Sequence, residues 1–347
     1  MPICNEAAHL ARALDAVDRQ TYPADRIEII VVDGGSSDDT LGIVRRRMER
    51  DPRLRLLGGE GVNTPRAMEI GIEAARGDMI AKVDGHGWIS DGFMEIAIRA
   101  LTADPSLGCV GGRIQPVTET DHERGIAHAR FSRLGVGDSV YTLDERVQET
   151  DTVQCGVYRR KALVDAGGFD SDLPYGEDEE ANFRLRQHGW RILLDPRMRF
   201  SYRVRPSIGA LFRQYFNYGR ARVAVVRKHP TFFRVKHALP AVLVAALVGS
   251  LPLALFPGWR IATGIVWIGY SASIAGGSTY LAASRRFGRA DLIARSLLAL
   301  HLGYGLGTLR GLLDSPHGGS QRGKRSPRAR TQGGRMAEKP DPQEQDS

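Results

Sequence analysis

Carboxylates recur beside glycines at three places in this sequence: Asp33-Gly34-Gly35-Ser36, Asp84-Gly85-His86 and Gly176-Glu177-Asp178-Glu179-Glu180. Asp33 ends a β-branched run, where its oxygens can accept from a nucleobase N–H or from ribose hydroxyls. The same Asp-Gly-Gly-Ser-Ser-Asp cluster also serves as a turn into a helix at Thr40. Asp84 and His86 flank a single glycine, so in an extended loop both side chains can face the same way. Their oxygen and nitrogen donors suit a divalent cation, Mn²⁺ more naturally than Mg²⁺. Such a cation neutralises charge that grows on a leaving diphosphate. The four acids at 177–180 offer a general base. Acids also favour a helix N-terminus, and Glu180 with Arg184 forms an i,i+4 pair. Neither effect requires four in a row, because their mutual repulsion costs stability.

The surrounding elements alternate. Helical spacing follows Asn5, a plausible N-cap, through Leu10, Leu14 and Val17. A strand is expected over 26–32, a helix from Leu41 to Met48, and a strand at 54–57. Thr64-Pro65 reads as the N-cap and first residue of the next helix. A strand over 78–83, a helix over 93–101 and a strand over 107–111 complete the series. This alternation predicts an α/β fold with a doubly wound, mostly parallel sheet. Ligands of such sheets sit outside the carboxyl ends of the strands. Two of those ends carry the Asp33 and Asp84 clusters. The sheet needs a strand before Pro2–Glu6, and only Met1 is available, so the natural chain is expected to continue upstream with apolar strand formers.

The later chain changes character. Residues 118–206 are irregular, as befits a second substrate's pocket. Phe212–Arg222 is basic and aromatic, and there Gln214, Tyr218, Arg220 and Arg222 have two readings: contact with phosphate on donor or lipid acceptor, or packing with basic heads snorkelling to lipid. Segments 238–257 and 261–283 are each long enough to span ~30 Å of hydrocarbon. Basic residues precede the first (Arg227, Lys228, Arg234, Lys236) and follow the second (Arg285, Arg286, Arg289), so both flanks are expected to be cytoplasmic. The segment 292–313 spans or lies at the interface, the latter being favoured. Residues 315–347 read as a disordered basic tail.

At 347 residues, 42% hydrophobic and 25% charged, the chain falls in the globular range. Its three cysteines (Cys4, Cys109, Cys155) are odd in number and far apart, which argues against a disulfide framework or a cysteine zinc site. Nothing at the start reads as a signal peptide, so the body is expected in the cytoplasm. The net charge of +8 gathers around the apolar segments and the tail, which argues for membrane and against nucleic acid as the partner. Cys155 has no histidine partner in sequence, so a thiol nucleophile is not expected.

Pro2-Ile-Cys-Asn-Glu6, Val31–Thr40, Ala74-Ala-Arg-Gly-Asp78, Val83-Asp-Gly-His86, Gly176–Glu180 and Gln214–Arg220 occur in the order seen in family 2 glycosyltransferases. The Asp-Gly-His triplet and apolar tail resemble most the bacterial succinoglycan-biosynthesis glucosyltransferases. The resemblance covers about residues 2–230. It implies a GT-A fold, a nucleotide-diphosphate sugar donor, a divalent metal (Mn²⁺ or Mg²⁺) and inversion at the anomeric carbon. It also implies donor contacts at Pro2, Asn5, Glu6, Asp33, Arg66 and Asp84, metal contact at Asp84 and His86, and acceptor or phosphate contacts at Gln214, Arg220 and Arg222. Asp178 would be the catalytic base, with Glu177 positioning acceptor or loop. Residues 1–117 would form the donor half, 118–230 the acceptor and catalytic half, and 238–313 the membrane segments.

Three departures refine this. Asp33-Gly34 stands where the family usually has two aspartates. His86 stands where its metal motif has a carboxylate. The strict Gln-x-x-Arg-Trp signature of processive synthases is absent, which favours single-sugar addition. The expected activity is transfer of one sugar, glucose from UDP-glucose, to a lipid-linked saccharide at the cytoplasmic membrane, alongside other polysaccharide-assembly enzymes. The alternatives are a polyprenyl-phosphate sugar synthase and a non-catalytic donor-binding subunit.

Overall fold

Parallel pairing begins at the first residues of the computed structural model, which describes residues 1–136, 145–173 and 175–314. Strand β1 (Pro2–Ile3) lies beside β2 (Ile29–Asp33), which in turn lies beside β3 (Leu54–Gly58), all parallel. The register aligns Ile3 with Asp33 and Asp33 with Gly58, so the carboxyl ends of the three strands are level. Every residue of β2 is buried, as a strand covered on both faces requires. Helices α1 (Leu10–Asp18), α2 (Thr40–Met48) and α3 (Thr64–Ala74) supply the cover.

A second sheet holds β4 (Met79–Ala81), β5 (Gly87–Ile89), β6 (Leu107–Val117), β7 (Gln148–Glu149), β8 (Val157–Arg159) and β9 (Arg191–Arg203). Its order is β4-β8-β6-β9-β5, with β7 on β9. Only β6 and β9 run parallel there. The parallel character therefore belongs to the first sheet, and the second is mixed because β8 returns between β4 and β6. Helices α4 (Phe93–Ala103), α5 (Asp121–Arg130), α6 (Arg133–Val136), α7 (Arg160–Asp165) and α8 (Glu177–Gln187) complete this α/β body.

Two expected helix starts are corrected. Asn5 is not the N-cap of α1, which begins at Leu10 after His9. Asn5 instead takes a left-handed backbone (φ 58°) and its Oδ1 accepts from the Ser37 N–H at 2.8 Å. A short polar side chain tolerates that conformation better than most. The N-cap of α3 is Asn63, whose Oδ1 accepts from the Arg66 N–H at 3.0 Å, so Pro65 is the second helical residue.

The C-terminal region is four long helices: α9 (Ile208–Lys228), α10 (Val235–Leu253), α11 (Arg260–Ser284) and α12 (Ala290–Leu313). By length and composition, α10 and α12 are apolar enough to cross a membrane among the described residues. α11 covers the 261–283 segment where a second span was expected, and carries Gly269, Ser271, Ser273, Gly276, Gly277, Ser278 and Thr279 among its apolar residues. α12, expected as the weakest of the three, is the central one. A Cβ on Gly307 would come within 2.0 Å of the Phe216 carbonyl of α9, and one on Gly219 within 2.2 Å of the Tyr304 carbonyl. Small residues here let the two backbones touch. Leu292, Ile293, Leu297 and Leu300 of α12 share one buried cluster with Leu10, Phe93 and Leu101 of the α/β body. The core is thus continuous between body and helices. The outward side is apolar: Leu239, Val242 and Val248 on α10, and Ile261, Ile265 and Ile268 on α11, are exposed. The tail 315–347 and Pro174 lie outside the described residues.

Candidate active site

The Asp84 loop follows β4 and turns back into β5, so its side chains emerge beyond the level ends of the first sheet. Together with Pro2, Ile3, Cys4, Glu6, Val62, Thr64, Ala67 and His86, Asp84 lines a cleft of about 150 Å³. Gly85 is required by a close approach: a Cβ there would stand 2.9 Å from both Glu6 Cγ and Ile3 Cγ2. Thus β1, the 4–6 loop, α3 and the Asp84 loop meet at one place.

The residue that organises the site is Lys82, which sequence reasoning passed over. Its ammonium is buried and lies 2.5 Å from Asp178 Oδ2, 3.7 Å from Asp84 Oδ1 and 3.8 Å from Glu177 Oε1. One cation therefore holds three carboxylates from two distant segments. The sequence signal was a lysine between the apolar Ala81 and Val83 at a strand end, where burial requires a partner.

Asp178 reaches this point from the first turn of α8, whose N-cap Gly176 has φ 78°. That left-handed turn is open to glycine at no steric cost. It aims Glu177 and Asp178 at Lys82. The next two acids turn elsewhere, which accounts for four in a row. Glu179 pairs with Arg222. Glu180 is fully buried and binds Arg184 at 2.7 Å and His229 at 2.7 Å.

The electrostatics follow from this burial. Burial lifts the Asp178 carboxyl against the pull of Lys82, and burial together with Asp178 lifts Glu177 to about 7. Burial also acts on Asp84, but Lys82 and His86 outweigh it and hold its carboxyl below the usual range. Burial and Asp84 push the Cys155 thiol well up, so it remains an S–H donor, 3.6 Å from Asp84 Oδ2.

Asp178 shows an asymmetry. Its Oδ2 accepts from Lys82, while Oδ1 is buried with no hydrogen-bond partner. A buried polar atom left unpaired costs free energy, and such atoms mark sites where a substrate completes the bonding.

The other expected site residues divide. Pro2, Glu6, Asp84 and His86 share the cleft, with His86 Nδ1 3.0 Å from Glu6 Oε1. Asp33 ends β2 beside it, but its carboxylate accepts from the Gly35 N–H at 2.8 Å and the Ser36 hydroxyl at 2.6 Å. The turn thus occupies oxygens that a donor would use. Asn5 is tied to the same turn through Ser36 and Ser37. Arg66 is exposed and pairs with Glu69 on its own helix at 2.8 Å. Gln214 donates to the Tyr218 hydroxyl at 2.8 Å, and its Oε1 is buried and unpartnered. Arg220 pairs with Asp314 at 2.8 Å. Arg222 is held by Glu179 and by the Tyr304 hydroxyl at 3.1 Å, with Phe232 under its guanidinium at 5.0 Å.

Among the described residues, no three His, Cys, Asp or Glu side chains form a ready-made metal cluster. Asp84 and His86 nevertheless fit a cation shared with a bound diphosphate. They line one cleft, and His86 has its Nδ1 held by a carboxylate, which leaves Nε2 for a ligand. That is how metal-binding imidazoles are usually oriented.

The chain is similar to known proteins in both sequence and fold. Residues 1–166 match the sequence model of glycosyl transferase family 2. The chain is 28% identical to the succinoglycan biosynthesis protein ExoA of Rhizobium meliloti over 319 residues, covering 90% of this chain and 94% of that one. It is 27% identical, over 66% of its length and 73% of the relative's, to a Methanococcus voltae transferase that adds a diacetamido-dideoxy-glucuronosyl unit to dolichyl N-acetylglucosaminyl phosphate. Its fold is similar to that of a Pyrobaculum calidifontis mannosyltransferase solved with GDP-mannose and Mn²⁺, with a TM-score of 0.56 and 21% identity over 90% of this chain and 85% of that one. The chain is a GT-A glycosyltransferase of polysaccharide or glycan biosynthesis, and its residues 1–166 belong to glycosyltransferase family 2.

Proposed function

We propose that the chain is a membrane-anchored inverting transferase that moves one sugar, glucose from a UDP donor, onto a lipid-linked saccharide in exopolysaccharide assembly. The observation that carries the catalytic part is Asp178, one oxygen anchored by Lys82 and the other buried and unpartnered. An acceptor hydroxyl donates to Oδ1, and its proton passes to that oxygen as the hydroxyl oxygen bonds to the anomeric carbon. The bond from that carbon to the diphosphate oxygen breaks, and UDP leaves. Glu177 lines the approach, and Lys82 keeps Asp178 in place.

Pro2, Asn5, Glu6, Asp33 and Arg66 belong to the donor half, and Gln214, Arg220 and Arg222 to the acceptor side or its support. Asp84 and His86 would hold the cation. When bound, it supplies Lewis-acid neutralisation of the diphosphate, and the mixed oxygen–nitrogen donor set favours Mn²⁺ over Mg²⁺. The mannosyltransferase of similar fold was solved with Mn²⁺. The succinoglycan protein matched over nearly its whole length supports exopolysaccharide assembly, and the Methanococcus enzyme, named for a dolichyl-phosphate-linked sugar, supports a lipid-linked acceptor. The apolar α10 and α12 support anchoring, and the basic residues before α10 support a cytoplasmic catalytic face.

The test is a screen of radiolabelled UDP-sugars on membranes containing the protein, with and without Mn²⁺, followed by analysis of the labelled lipid. Label on a lipid-linked saccharide is expected. Label on polyprenyl phosphate alone would make the protein a polyprenyl-phosphate sugar synthase. Neither transfer nor donor hydrolysis with any sugar would leave only the non-catalytic reading.

A further inference from the structure

The geometry points to Glu6 as the residue that positions His86 for the cation, rather than as a direct contact to the sugar donor. This rests on the metal reading of Asp84 and His86 above and assigns Glu6 a role within it.

Three observations converge. His86 Nδ1 donates to Glu6 Oε1 across 3.0 Å, and the imidazole edge meets Tyr202 with ring centroids 6.2 Å apart. The ring is therefore fixed by two neighbours, and Nε2 is the nitrogen left free. Glu6 is itself fixed: its N–H donates to Thr40 Oγ1 at 2.8 Å, and its carbonyl accepts from the N–H groups of His9 and Leu10, both at 2.9 Å. Between the two lies Gly85, whose missing side chain makes room for the Glu6 stem.

Charge explains why such a pair is useful here. A neutral imidazole at position 86 brings no negative charge to a divalent cation, whereas a carboxylate would. The Glu6–His86 pair carries that one negative charge, delivered through the imidazole. Outer partners of this kind raise the basicity of the ligand, and their loss typically costs ~10–100-fold in metal affinity. In sequence Glu6 and His86 are 80 residues apart, so only the fold pairs them.

The experiment measures Mn²⁺ binding to the full chain in detergent by electron paramagnetic resonance of free Mn²⁺, with UDP present. Glu6→Gln keeps the size of the side chain and removes its charge. It is expected to weaken Mn²⁺ binding ~10–100-fold. His86→Ala is expected to weaken it at least as much, and the double variant no further than His86→Ala alone, since Glu6 acts through His86. UDP binding without Mn²⁺ is expected to be unchanged in Glu6→Gln. If His86→Ala weakens Mn²⁺ binding and Glu6→Gln does not, the positioning role is wrong while the metal site stands. Weaker UDP binding without metal in Glu6→Gln would make Glu6 a donor contact instead. If His86→Ala leaves Mn²⁺ binding intact, the metal reading of His86 itself fails.

Discussion

Lys82 and Asp178 stand 96 residues apart in sequence and 2.5 Å apart in the fold, a buried ammonium against a buried carboxylate. Breaking such a pair by removing one partner costs about 3–5 kcal/mol, because the other charge is left uncompensated. Lys82→Met is expected to lower the melting temperature and to move the acid limb of the kcat/KM profile to higher pH. The sign follows from the loss of a cation that favours ionised Asp178. Lys82→Arg should recover part of both. An unshifted limb in a folded Lys82→Met protein would show that Lys82 does not tune the base.

Asp178→Asn removes the proton acceptor while keeping its shape. General-base catalysis contributes ~10²–10⁴-fold, so turnover should fall by at least ~100-fold with donor affinity retained. Near-normal turnover in Asp178→Asn with loss in Glu177→Gln would reverse the two roles. Single-turnover transfer with saturating donor measures this.

Wild-type transfer should itself depend on pH near neutrality. Burial and Asp178 lift Glu177 to about 7, and burial also lifts Asp178, so the pair loses its last proton late. The reactive base is deprotonated, so the rate should rise with pH through that apparent value and then level. A rate flat from pH 5 upward would contradict a raised pair.

Glu179→Gln should not be mild. Glu179 pairs with Arg222, which also holds Tyr304 on α12, so the pair joins the first turn of α8 to the apolar helices. Leaving the mostly buried guanidinium short of its anion should cost about 1–3 kcal/mol. Tyr304→Phe should cost less, since Glu179 remains. Thermal unfolding of the two variants in the same detergent gives the order.

Glu180 predicts acid sensitivity. Burial opposes its ionisation, but Arg184, His229 and Lys228 outweigh it and depress its folded carboxyl below the unfolded one. A depressed folded value gives stability that is present above the unfolded value and lost as pH falls through the folded one. The stability of Glu180→Gln, measured by denaturant titration from pH 7 down to pH 3, should therefore fall less steeply than wild type.

The sequence alone determined the local grammar of this protein. The Ile29–Asp33 strand, the helix from Thr40, the Asp84 turn and the acidic helix start at 177 are set by β-branched runs, glycines and capping chemistry within a few residues. The apolar stretches after residue 234 were legible for the same reason, because composition over about twenty residues decides whether a helix can cross a membrane. Ordered together, these stretches were enough to suggest a family and a base.

What sequence could not decide is pairing at a distance. Lys82 looked like one more lysine until burial placed it among Asp84, Glu177 and Asp178. Glu6 and His86 gave no sign of pairing until the fold set them 3.0 Å apart. Arg222 gave no sign of its partners until α8 and α12 brought Glu179 and Tyr304 to it. In each case the chemistry depends on which charge lies within about 4 Å, where Coulomb energy in a low-dielectric interior is large. Sequence spacing fixes that distance only inside one element; between elements the packing of the whole core sets it.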